Sequence, residues 1–257
     1  MIATALVVLL AAAAAVPKPT NLLSVQKPAD LSLPVVLKPG EAAIVIGWRR
    51  PETGSIGKSG IVAFARYDVE KRDMIARPAD AKKNGDQNTY WIQANGGNKK
   101  LPLDHLVMVV SAGDYVLYGA TPGPAPQVAN TFCFSAPTFR VNAGETVYFG
   151  DISPYFGKRD NGEFAIAMAY SSHPDDARAA LAKQPALAAA FRPADIRNGA
   201  SYTCSGQAMT AYLVPGAPAL PPLTAEARAA QTGNAPVPTP RKARPAPGAP
   251  ILIPTNG

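Results

Sequence analysis

Phe139-Arg140-Val141-Asn142-Ala143-Gly144-Glu145-Thr146-Val147-Tyr148-Phe149-Gly150-Asp151 sets strand-forming residues on both sides of a four-residue turn. Gly144 can take the positive φ that such a turn needs, and Thr, Val, Tyr and Phe suit a pleated, half-buried surface. The same grammar recurs upstream. Ser111-Ala112-Gly113-Asp114 follows Leu106 to Val110 and precedes Tyr115 to Gly119, and Lys38-Pro39-Gly40-Glu41 precedes Ala42 to Gly47. The two copies with apolar runs on both sides read as hairpins. Shared turn chemistry accounts for the recurrence without an internal duplication.

Working outward, further strands are expected at Ile61 to Tyr67, Tyr90 to Gln93, Glu163 to Tyr170, Ser201 to Cys204 and Ala208 to Val214. Short strands at this spacing predict a mainly β domain, an antiparallel β-sandwich with a small helical insertion at about 173–198. That insertion opens with Ser172-His173-Pro174-Asp175-Asp176, where a hydroxyl cap, an early Pro and two acids favour a helix start. Ala177, Leu181, Leu187 and Phe191 continue an apolar face, and Pro193 and Gly199 punctuate its end.

The ends differ in composition from the body. Ile2 to Val16 is a 15-residue apolar run, shorter than a membrane-spanning helix, and Ala11 to Ala15 supplies small residues for cleavage. Residues 1–15 are therefore expected to be a signal peptide, although no Lys or Arg precedes the run. Residues 16–39 form an extended lead-in, 40–214 the sandwich, and 215–257 a disordered tail with 11 prolines in 43 residues. No later stretch is apolar enough to span a membrane. The expected location is outside the cytoplasm, periplasmic or at the cell surface.

Net charge is +7 and the sequence pI about 9.4. A basic surface attracts polyanions, and for an exported chain the expected one is an anionic envelope polymer, not nucleic acid. The chain has two cysteines, Cys133 and Cys204. An even count in an exported chain favours a disulfide, against the alternative of two buried thiols.

No catalytic, cofactor or metal motif is present. Gly54-Ser55-Ile56-Gly57-Lys58-Ser59 looks like half a phosphate-binding loop, but Glu52 stands where its first Gly belongs and a strand follows. His105 and His173 are the only histidines, and neither sits at metal-ligand spacing. A serine-hydrolase triad assembled from Ser172, either His and an Asp lacks the Gly-x-Ser-x-Gly elbow. Asp114, Glu145 and Asp151 stand near turns, where a solvated acid is the common case. Among the aromatics (Tyr115, Tyr118, Phe132, Phe134, Phe139, Tyr148, Phe149, Tyr155 and Phe156), most read as core and cross-strand pairs. Tyr155 and Phe156 are the pair expected to be exposed as a ligand platform. In the tail, Arg241, Lys242 and Arg244 form a basic cluster, and Ile251, Leu252 and Ile253 an apolar run, suited to docking on an envelope polymer or protein. The simpler reading is a stiff linker.

Phe139, Val141, Ala143, Gly144, Glu145, Tyr148, Gly150 and Asp151 resemble a pattern shared by poorly characterised exported bacterial proteins. That group is similar to the prealbumin-like sandwich domains that serve as accessory modules of carboxypeptidases and surface proteins. The resemblance covers roughly residues 40–170. It implies a prealbumin- or immunoglobulin-like sandwich in the cell envelope and brings no catalytic residues with it. The expected function is a non-catalytic binding or structural module. The alternatives are a subunit docking through its tail and an envelope hydrolase with a site no motif reveals.

Overall fold

The computed structural model describes residues 24–26, 28–49, 59–76, 89–95, 103–121, 130–158, 164–204 and 209–223. Strands dominate and form two sheets. The first runs β1 (Ser24–Gln26), β5 (Thr89–Asn95), β3 (Ser59–Asp68), β7 (Gly113–Thr121), β8 (Asn130–Val141), β12 (Arg197–Ala200). To it are added β4 (Asp73–Met74) on β3 and β13 (Met209–Ala211) on β8. The second runs β10 (Phe164–Ser171), β9 (Thr146–Lys158), β2 (Glu41–Arg49), β6 (Leu103–Ser111), with β11 (Phe191–Pro193) also on β9. The mainly β, two-sheet expectation holds. Pairing is mixed, however, because β2 and β11 run parallel to β9, β1 to β5 and β13 to β8.

The recurring turns are not hairpins. β6 and β7 belong to different sheets, and so do β8 and β9, so each turn is an arch that carries the chain across the core. Both arms bear apolar side chains on their inward faces, and folding them face to face buries those faces against each other. The acid that ends the turn explains the motif. Lys38 N–H donates to Glu41 Oε2 at 2.8 Å, and Asn142 N–H donates to Glu145 Oε2 at 2.9 Å. Gly40 and Gly144 take positive φ, 82° and 79°. The turns also tie to one another, through Gly144 N–H to Glu41 O and Ala112 N–H to Gly40 O, both 2.8 Å.

Alternation along β2 sorts its side chains between two cores. Ala42, Ile44, Ile46 and Trp48 point between the sheets, while Ala43 and Val45 point to the outer face of the second sheet. Between the sheets, Phe64 of β3, Phe139 of β8 and Phe149 of β9 form an aromatic knot, with ring centroids 5.2 to 5.6 Å apart.

A third layer covers the outer face: α1 (Pro174–Ala180), α2 (Pro185–Ala189) and the lead-in from Ala29 to Leu37. Ala177, Leu181, Leu187 and Phe191 pack there against Ala43, Val45, Val107 and Tyr148. Buried Gln184 clasps the lead-in, its Nε2 donating to Leu31 O and Leu33 O while its Oε1 accepts from Val35 N–H. The helical part is shorter than its pattern suggested, since residues 191–193 and 197–200 are strands. Ser172 does not cap α1. His173 holds the N-cap position without a side-chain cap bond.

Cys133 and Cys204 are joined, with Cα atoms 6.1 Å apart. The crosslink holds Ser201 to Cys204 beside β8, but this segment is not a strand; the pairing strand, β12, lies just before it. Side chains fix the segment instead: Tyr67 Oη donates to Ser201 O, and Tyr202 Oη donates to Tyr118 O. The body extends past Val214. Asn198 donates from Nδ2 to Val214 O and Ala217 O, and Leu220 N–H returns to Asn198 O. The described residues up to Leu220 belong to one compact unit. Of the remaining unit, 221–257, only 221–223 are described.

Candidate functional site

Register puts the chain's chemistry into one row. Gly47 of β2 stands opposite His105 of β6 on one side and Asp151 of β9 on the other, and Asp151 stands opposite Ser171 of β10. Paired residues share a face, so this row crosses the outer face of the second sheet beside the helical layer. A register shift in β9 between the partners of Val45 and Ile46 turns Asp151 onto the same face as Tyr148.

Asp151 is only 2 % exposed, which corrects the expectation of a solvated turn acid. Its carboxylate lies in the space left by Gly47, which has no side chain. Tyr148 Oη donates to Oδ1 at 2.5 Å, and His173 Nδ1 lies 2.5 Å from Oδ2. A carboxylate can only accept, so Nδ1 carries the proton. Ser171 Oγ adds a longer bond of 3.4 Å to Oδ2. His173 N–H donates in turn to Tyr148 Oη at 3.0 Å, which closes the ring of contacts. Burial pushes the Tyr148 phenol upward, and its bond to Asp151 acts in the same direction. The Tyr148 ring stacks on Phe191, over which the Arg178 guanidinium sits 4.9 Å from the centroid.

His105 faces the same group from the opposite side. Burial lowers its pKa, against the pull of the Asp151, Asp176 and Asp104 carboxylates, and His173 pushes the same way as burial. Its Nε2 is buried and makes no hydrogen bond among the described residues. Both histidines of the chain therefore converge on one buried carboxylate. Single-residue reading missed this, because it needs the register of three strands. The signal available was Gly47 in a run of otherwise bulky strand residues.

The arrangement resembles the rear half of a catalytic triad, a buried acid orienting an imidazole whose side chain is 52 % exposed. The nucleophiles that the sequence offers have partners other than His173. Ser171 bonds Asp151, Ser172 bonds Tyr170, and both cysteines are crosslinked. Among the described residues, no group of three or more His, Cys, Asp or Glu side chains is placed to hold a metal ion.

The other expected site residues separate. Tyr155 and Phe156 lie in β9, and their side chains fall outside the described residues. Arg241, Lys242, Arg244, Ile251, Leu252 and Ile253 lie outside the described residues altogether, as do residues 1–15, the expected signal peptide. Tyr115, Phe132, Phe139, Tyr148 and Phe149 are core, as expected of most of the aromatics. Phe134 is not: it is 64 % exposed, in a part of β8 where seven steps from Thr131 to Thr138 match three from Gly119 to Val116 of β7. Among the described residues, no helix is long and apolar enough to cross a membrane. Comparison with protein-family models, curated proteins and solved structures finds no match.

Proposed function

We propose that this chain is a non-catalytic module of the cell envelope, exported and matured by oxidation, that binds or braces an envelope component. The observation that supports it best is the use of Asp151. Its two oxygens accept from Tyr148, on the sheet, and His173, at the entrance to the helical layer, so the strongest acid–base constellation in the body clasps one layer to the next. The apolar run from Ile2 to Val16 and the Cys133–Cys204 crosslink support export. The test is co-sedimentation of the purified, oxidised chain with isolated envelope polymer, alongside a chain truncated after Leu220. Retention of both supports a module that binds through its body. Retention of the full chain alone assigns docking to the tail, and retention of neither defeats the reading.

One observation favours a hydrolase as a second reading: His173 is oriented by a buried acid and half open to solvent. Under that reading, ester hydrolysis above the buffer rate disappears in His173→Ala. Equal rates for wild type and variant dismiss it.

A further inference from the structure

A recess of about 380 Å³ lies away from the Asp151 clasp, beneath the Ser111–Asp114 arch. Its walls include Arg66 and Tyr67 of β3, Ile75, Gly113 and Asp114 of β7, and Arg140 of β8. Arg66 is seated there by the arch motif. A Cβ on Gly113 would come 2.9 Å from Arg66 Nη2, so a larger residue there would push the guanidinium aside. The Arg66 Nε atom is buried and has no hydrogen-bond partner among the described residues. A buried donor left unsatisfied costs about 1–3 kcal/mol, so this one is a standing demand for an acceptor.

The charges near the recess show what that acceptor is. Arg140 is matched by Asp114 at 3.1 Å. Beside them, Asp68 is matched by Lys71 at 3.2 Å, and Glu145 by Arg192 at 2.6 Å. Arg66 also acts on the Asp114 carboxylate, so among the described residues that line the recess two guanidiniums share one acid and a single positive charge is in excess. A single carboxylate neutralises it, and the planar guanidinium fork suits a carboxylate geometrically. A phosphate dianion brings two negative charges to one positive charge in excess and overcharges the site. The volume sits at the small end of the range for small-molecule sites, about 300–1,000 Å³. Gly113 and Val141 already pair with each other across β7 and β8, so the wall offers a peptide no open strand edge. Half-buried Ile75 adds an apolar surface for a ring face.

We infer that this recess binds a uronic acid residue, a sugar-ring-sized monocarboxylate, through Arg66. The inference draws on the envelope-module reading for the source of the ligand, and the two fail separately. A chain that sediments with envelope polymer yet ignores the free sugar acid sinks only this inference. A chain that binds the sugar acid without sedimenting sinks only the other.

The experiment is a titration of the ¹⁵N-labelled, oxidised full chain with sodium glucuronate, its neutral methyl ester, N-acetyl-alanyl-alanine and inorganic phosphate, followed by amide shifts. Saturating shifts at Gly113, Asp114 and Val141 with glucuronate, and none with the ester, are expected. In Arg66→Gln the affinity falls about 10- to 100-fold, the loss for a hydrogen bond to a charged group. The melting temperature of that variant stays level or rises, because Arg140 still neutralises Asp114 and the positive charge in excess has been removed; a residue with only a structural role would lower it. Should Arg66→Gln not fold, Arg66→Lys keeps the charge without the fork and is expected to bind more weakly than wild type. Ester binding as tight as that of the acid, preference for phosphate or the dipeptide, shifts elsewhere, or unchanged affinity in both Arg66 variants would overturn the assignment.

Discussion

Replacing Gly47 by Ala would put a methyl group into the space that holds the Asp151 carboxylate. The new Cβ would lie 2.7 Å from Cγ and 3.2 Å from Cβ of Asp151. Rotation of the carboxylate cannot relieve this, because one oxygen is held by Tyr148 and the other by His173. The side chain has to move, and both bonds stretch or break. Bonds to a charged group contribute about 1.5–3 kcal/mol each. Breaking a buried charged pair costs about 3–5 kcal/mol, because the charge stays behind unpaired. Gly47→Ala should therefore lower the unfolding free energy by about 3–5 kcal/mol, nearer the top if the acid finds no new partner. Urea denaturation reads this as a lower midpoint at constant slope. The double-mutant cycle isolates the cause. In an Asp151→Ala background the methyl has no carboxylate to displace, and adding Gly47→Ala should cost less than about 1 kcal/mol. An equal cost in both backgrounds would refute the argument, because the penalty would then belong to the β2 backbone and not to the clasp.

Three further outcomes follow from separate parts of the fold. Replacing both Cys133 and Cys204 by Ala should remove about 4 kcal/mol in the chain-entropy picture, given a separation of 71 residues, and dithiothreitol on wild type should give a similar shift in urea midpoint. The Arg192 guanidinium holds Glu145 at about 2, below its usual 4.5, so its contribution is complete above about pH 4.5 and is lost as pH falls toward 2. Glu145→Gln should cost about 0.5–1 kcal/mol at pH 7, as expected for a partly exposed pair, and flatten stability between pH 4.5 and 2. Gln184→Ala removes three bonds to the lead-in and should cost about 2–3 kcal/mol, with faster hydrogen exchange at the Val35 amide than at Val116 in β7.

Local pattern made much of this protein legible. The Gly-acid turns, the strand runs beside them and the cysteine pair all appear where turn chemistry, residue shape and redox logic place them. The sheet to which each strand goes was not legible. An arch and a hairpin share the same turn residues, and the choice rests on which inward faces meet, as in the knot of Phe64, Phe139 and Phe149. The Asp151 row was hidden for the same reason. Gly47, His105, Asp151 and Ser171 are spread over 125 positions of sequence and meet only through strand register. The tail boundary set by proline content fell short of Leu220 because Asn198, far upstream, supplies the hydrogen bonds that hold residues 214–220.

The clasp itself is tested most directly by native-state hydrogen exchange in His173→Ala. Faster exchange at Ala177, Leu181 and Ala188, whose amides bond within the helical layer, is expected, with Phe64 and Val116 in the first sheet unchanged. Helical amides as slow as in wild type would show that Asp151 and His173 do not hold the layers together, and the clasp would have to be abandoned.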